Sequence, residues 1–206
     1  ALDATRGRRP ATPGPALVVA VPDERVPSVE TEVARLTALL PDATVLAGPD
    51  ATRERVLSAL ADHPVVHVAG HAVSDRADPD ASRLLLHDGP LTVADLRGLH
   101  LVGAELAFLS ACATSRTRPA LVDEAVHLTA AFQLAGYRHV VGTWWPVNDS
   151  VAANVAGDVY AELTARGTRA PETAGTALAL HRAVLQLRAD FPDRPSLWAA
   201  HGHTGL

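Results

Sequence analysis

The chain contains no lysine and no methionine, and all 18 of its basic side chains are arginine. Together with abundant alanine, this is read as coding bias rather than chemistry. Against those 18 arginines stand 23 acidic residues, for a formal net charge of −5. No basic footprint of the kind phosphate-backbone recognition needs is present, so a nucleic-acid partner is not expected. No uninterrupted apolar stretch reaches the roughly 18 residues of a membrane span, and no membrane partner is expected either. A single cysteine, Cys112, excludes an internal disulfide. Residues 1–20 lack the charged-then-apolar layout of a signal peptide, so a reducing cytoplasm is the expected location. The missing initiator methionine is taken as the mark of a piece of a longer protein.

What is present fits one well-cored domain of 206 residues, 48% apolar and 20% charged. Residues 1–15, rich in Arg, Pro and Gly without apolar periodicity, read as a linker from an upstream region, with the folded domain over residues 16–206. From Ala16 onward, short β-branched runs alternate with helical periodicity. The expected order is a strand at 16–21, a helix at about 27–40, a strand at 44–48, a helix at about 50–61 and a strand at 64–70. After a polar, turn-rich stretch at 72–81 come a small hairpin and a short helix. A buried strand at 105–112, a helix at 123–136 stopped by Gly136, a strand at 137–145, two amphipathic helices (149–166 and 172–190) and a terminal strand at 196–205 complete the reading. Strands alternating with helices of this length imply α/β architecture, a mainly parallel sheet covered on both faces.

Two apolar runs end on reactive side chains. The run VVHVAG leads to His71, and LAFLSA leads to Cys112. In an open α/β sheet ligands bind beyond the carboxyl ends of the strands, so both residues belong to the edge where chemistry is done. A thiolate is a nucleophile, a nearby imidazole favours it, and a histidine some tens of residues before the cysteine is the order of caspase-type peptidases. Taken alone, a cysteine after an apolar strand is more often an inert buried thiol and a histidine more often structural. Their joint placement favours a Cys/His dyad. A small-molecule thiol hydrolase or amidase is the rival enzyme class. His63, His67 and His71 are four apart, but Pro64, the valine pairs and Gly70 argue strand, where such spacing does not gather metal ligands; no metal site is expected. Trp144, Trp145 and Trp198 fit core or pocket wall. His201 and His203 fit the last strand and its end.

Five segments in order resemble the CHAT domain, a bacterial caspase- and separase-like peptidase family often fused to tetratricopeptide repeats. They are VVHVAGHA (65–72), LLLHDGPLTVADLRGLHL (84–101), LSACATS (109–115), DEAVHLTAAFQLAGYRHVVGTWWPVNDSVA (123–152) and SLWAAHGHTG (196–205). The resemblance implies a caspase-like sheet of about six strands and a cysteine endopeptidase acting on a protein or peptide substrate, with no cofactor. It implies His71 as catalytic acid/base and Cys112 as nucleophile, with an oxyanion hole from the backbone N–H groups of Ala72 and Cys112. It also implies Asp149, with Trp145 beside it, in the pocket for the substrate's P1 side chain, where a carboxylate favours Arg or Lys. Asn148-Asp149-Ser150 is equally a helix N-cap sequence. Such domains are commonly effectors governed by an attached or associated sensor or repeat domain. The chain departs from the family in carrying Ala72 where glycine is usual, and again at Ala113 and Ser115. These departures motivate the alternative of a catalytically silent CHAT-fold interaction module.

Overall fold

The computed structural model describes residues 14–23, 28–73, 78–110, 112–113 and 123–205. The expected linker falls almost wholly outside them, as does the loop before the helix at 123. Six strands form the main sheet: β1 (Ala16–Ala20), β2 (Thr44–Ala47), β3 (Val65–Ala69), β7 (Leu106–Leu109), β9 (His139–Thr143) and β10 (His201–Gly205), in the order β10-β9-β7-β3-β1-β2. All neighbours are parallel except β10, which runs antiparallel to β9. The expected mainly parallel sheet of about six strands is therefore what the chain forms.

Strands β1 and β3 are buried at every residue because they are covered from both sides. Alternate residues supply two cores. Leu17, Val19, Val66, Val68, Ala107 and Val140 pack under α2 (Arg53–Leu60), α3 (Val93–Arg97) and α4 (Asp123–Ala135). Val18, Val65, Leu106, Phe108 and Val141 pack under α1 (Val29–Leu39), α5 (Asp149–Leu163) and α6 (Thr176–Asp190). Local chemistry sets the helix ends. Thr92 and Asp95 form a capping box at α3, and Asp95 also pairs with Arg53 at 2.7 Å, which holds its carboxyl down to about 2. Helix α4 ends in a Schellman motif: Tyr137 N–H donates to Phe132 O at 3.1 Å, Gly136 N–H donates to Gln133 O at 3.1 Å, and the Phe132 and Tyr137 rings touch at 5.6 Å. Gly136 carries the positive φ, +128°, that the motif needs.

One face of α1 is polar and anchored at three points. The Ser28 N–H at its start donates to Asp149 Oδ2 at 3.0 Å, and Glu32 meets buried His67 of β3 at 3.1 Å. Arg35 lies across Gly157 to pair with Asp158 at 2.6 Å. His67 is stacked on Phe108 at 5.3 Å and edge-on to Tyr160 at 5.6 Å, so a polar pair sits inside an aromatic core.

Beyond the carboxyl ends of the main sheet stands a second sheet of short strands: β4 (His71–Val73), β5 (Arg83–Leu85), β6 (Pro90–Thr92) and β8 (Cys112–Ala113), ordered β6-β5-β4-β8. The expected hairpin is β5–β6. Two expectations need adjustment. Cys112 lies beyond β7 on its own strand rather than on an extension of that run. In the terminal segment, Pro195–Trp198 forms a single helical turn, α7, with proline at its start, and the strand begins only at His201. Among the described residues no helix is long and apolar enough to cross a membrane.

Histidines on the β9–β10 edge make stability sensitive to acid. Burial pushes His139 down to about 4, helped by repulsion from the neighbouring His203 and Arg138; burial likewise holds His201 near 4. Unfolded histidine titrates near 6.5, so the native state binds fewer protons through this window. The stabilisation is complete above about pH 6.5 and drains as pH falls towards 4. The urea midpoint is expected to drop between pH 7 and pH 5, above the range where Asp95 protonates, and the drop is expected to shrink in His139→Gln. A midpoint flat across that interval would contradict this account.

Candidate active site

Gly70 separates β3 from β4 with φ of +157°, a conformation that disfavours side chains, and lets the chain leave the main sheet beside Val21. His71 follows at once and is buried. On β8, Cys112 is its register partner: β4 and β8 run parallel with His71 opposite Cys112 and Ala72 opposite Ala113. Neighbouring strands lie about 4.8 Å apart, so the backbone brings together the two residues that the apolar runs pointed to. The Cys112 side chain and residues 114–122 lie outside what the structure describes. Ala72 is buried in strand β4, and the positive-φ non-glycine residues among the described chain are Ala165 and Arg166. Alanine at 72 therefore carries no left-handed strain.

On the other side of His71 lies a residue that sequence reasoning passed over. Hydrogen bonding between β1 and β3 continues one step past the strands, with Val21 N–H donating to Ala69 O at 3.0 Å. Two residues further on, Asp23 brings its Oδ2 to 3.6 Å from His71 Nε2. The available signal was positional: Asp23 trails an apolar strand just as His71 and Cys112 do.

Asp149 opens α5, but the N-cap is Asn148, whose side chain accepts from Ser150 N–H at 2.9 Å. One Asp149 oxygen accepts from Ser150 N–H and the other from Ser28 N–H, each at 3.0 Å. Trp145, half-buried, donates from Nε1 to Ser196 O at 2.8 Å and ties the β9–α5 connection to α7. Trp144 lies against Gly202, where any Cβ would strike its ring. Trp198 receives the Arg188 guanidinium over its ring at 5.2 Å.

The family model of the CHAT domain matches residues 1–205. The chain belongs to the CHAT-domain family. Among solved structures, this CHAT domain is similar to a chain of the Saccharomyces cerevisiae separase–securin complex, with a TM-score of 0.66 and 14% identity. That similarity covers 100% of the CHAT domain and 13% of the other chain, and at such identity it speaks for the fold. No curated protein matches the chain. Family and fold agree: the chain that the CHAT model matches has the fold of the separase chain it resembles.

Four further histidines have partners of their own away from His71. His63 bonds Thr44 Oγ1 at 2.9 Å and Ala59 O at 2.7 Å, and His67 faces Glu32 in the core. His139 and His203 share a contact of 3.1 Å between ring nitrogens on β9 and β10.

Proposed function

We propose that this CHAT domain is a cysteine endopeptidase working through a Cys112/His71 dyad, as a regulated effector domain of a larger bacterial protein. The observation that carries the reading is the register of β4 against β8, which sets His71 beside Cys112 at the carboxyl edge of the sheet. The Cys112 thiol gives its proton to His71 as sulfur bonds to the scissile carbonyl carbon. Backbone N–H groups of Cys112 and Ala72 hold the oxyanion. The imidazolium then protonates the departing amine, the C–N bond breaks, and an acyl-thioester remains. Water, giving a proton to His71, attacks the thioester; the carboxylic acid leaves and the thiol recovers its proton. The chemistry calls for neither metal nor organic cofactor.

Asp149, with Trp145 nearby, is assigned to P1 selection in favour of Arg or Lys. Cleavage of a peptide library by the wild type, absent in Cys112→Ala, is the expected result; equal turnover in both would end the catalytic reading and favour the silent interaction module. Asp149→Asn keeps an oxygen for the Ser28 N–H while discharging the pocket. It is expected to lower kcat/KM for basic-P1 peptides by about 10- to 100-fold, the worth of a charge-assisted hydrogen bond, and to spare neutral ones. Unchanged P1 preference in that variant would remove Asp149 from the specificity role.

A further inference from the structure

We infer that Asp23 is the third member of the catalytic group, a positioning carboxylate that orients His71 and steadies its charged form. The inference rests on the peptidase reading above. Three strand ends meet at this edge in a fixed lateral order. Asp23 follows β1, His71 opens β4 just after β3, and Cys112 lies on β8 across the register from His71. The imidazole is thus flanked by a carboxylate on one side and the thiol-bearing strand on the other, which is the acid–base–nucleophile sequence that nucleophilic catalysis uses.

The atoms divide the work. Asp23 Oδ2 stands 3.6 Å from Nε2 of His71, whose side chain is 3% exposed while that of Asp23 is 28% exposed. A carboxylate at Nε2 selects the tautomer with its proton on that nitrogen and assigns proton exchange with sulfur and leaving amine to Nδ1. It also favours the imidazolium formed when Cys112 ionises. The contact is longer than a hydrogen bond, as catalytic contacts commonly are before substrate binds. Asp23 remains ionised throughout: no bond to it forms or breaks, and the proton moves only between Nδ1, sulfur, amine and water. Because Asp23 is partly in solvent, its contribution is smaller than that of a fully buried triad carboxylate.

Asp23→Asn keeps shape and solvation while removing the charge. Its kcat on the best library peptide is expected to fall by about 10- to 100-fold with KM held. The alkaline limb of kcat against pH, which reports loss of the imidazolium proton, is expected to move to lower pH. Asp23→Glu, which restores charge, is expected to recover part of the rate. Independently of turnover, the His71 imidazole titration followed by NMR in the Cys112→Ala background is expected to move down by about 0.5 to 1 pH unit on adding Asp23→Asn. An active wild type whose kcat and alkaline limb are untouched by Asp23→Asn overturns the inference and leaves the peptidase reading standing. A wild type without Cys112-dependent turnover overturns the peptidase reading instead. In that event the NMR titration decides the Asp23–His71 pairing, and an unmoved His71 overturns it.

Discussion

His71→Ala is expected to lower kcat for peptide cleavage by about 10²- to 10⁴-fold, the usual worth of a positioned general acid–base. Combining it with Cys112→Ala is expected to cost nothing further. The argument begins in the backbone. His71 and Cys112 are register partners on two parallel strands, and in the proposed dyad they would act on one proton rather than as separate contributors. Groups that work as a unit are grossly non-additive: once either is gone, the other has nothing to exchange with. Peptide binding is set elsewhere, so KM is expected to change little. Far-UV circular dichroism and the urea midpoint of His71→Ala would confirm that the loss is chemical rather than structural. If the double variant were slower than either single variant by the product of their effects, the dyad would have to be abandoned for two independent roles.

Gly136→Ala is expected to destabilise the fold by about 2–4 kcal/mol. Two costs coincide there. At φ of +128° an added side chain is strained, and the new Cβ would sit 2.5 Å from the backbone oxygen of Leu101. That oxygen cannot swing aside as a flexible side chain could, because Leu101 N–H is held by Ala135 O at 2.8 Å. Relief would require opening the Schellman motif and parting the Phe132–Tyr137 contact. In a domain of this size such a loss corresponds to about 5–15 °C in Tm, readable by differential scanning calorimetry. Gly48→Ala is the matched comparison, since Gly48 has φ of +52° but nothing within 4 Å of an added Cβ. It carries the dihedral cost of about 1–2 kcal/mol without the collision. Equal Tm losses in the two variants would show that the Leu101 contact is unimportant.

The strands of the main sheet are readable in the chain because burial on both faces removes the polar residues that would blur an apolar run. For the same reason the placement of His71 and Cys112 near strand ends is visible, each marking where such a run stops. What cannot be seen is that the sequence after each stop re-enters a second, smaller sheet. Strands of two or three residues, such as Cys112–Ala113, carry no periodicity and are held by their partners alone. The pairing of Asp23 with His71 is hidden for a related reason: it arises from the lateral neighbourhood of β1 and β3, which depends on strand order and leaves no local pattern. The terminal segment misleads in the opposite way. Trp198 and the alanines after it look strand-like, yet Pro195 presets a helical φ and one turn forms before the edge strand can begin. At Asp149 the two candidate readings were capping and selection. Asn148 takes the cap and the aspartate reaches across to another helix, a contact no inspection of its neighbours in sequence could disclose.

The anchors of α1 have a consequence for how much the chain can vary. Ser28, Glu32 and Arg35 follow one another at steps of four and three, the rhythm of one helical face, and they grip three different places: the start of α5, the middle of β3 and the body of α5. A helix held at one point can slide or gain a residue and repack. One held at three points in register is length-locked, since inserting or deleting a single residue rotates everything beyond it by about 100°. Substitutions along the outer face of α1 are free to accumulate, whereas changes in its length between 28 and 35 are closed to it.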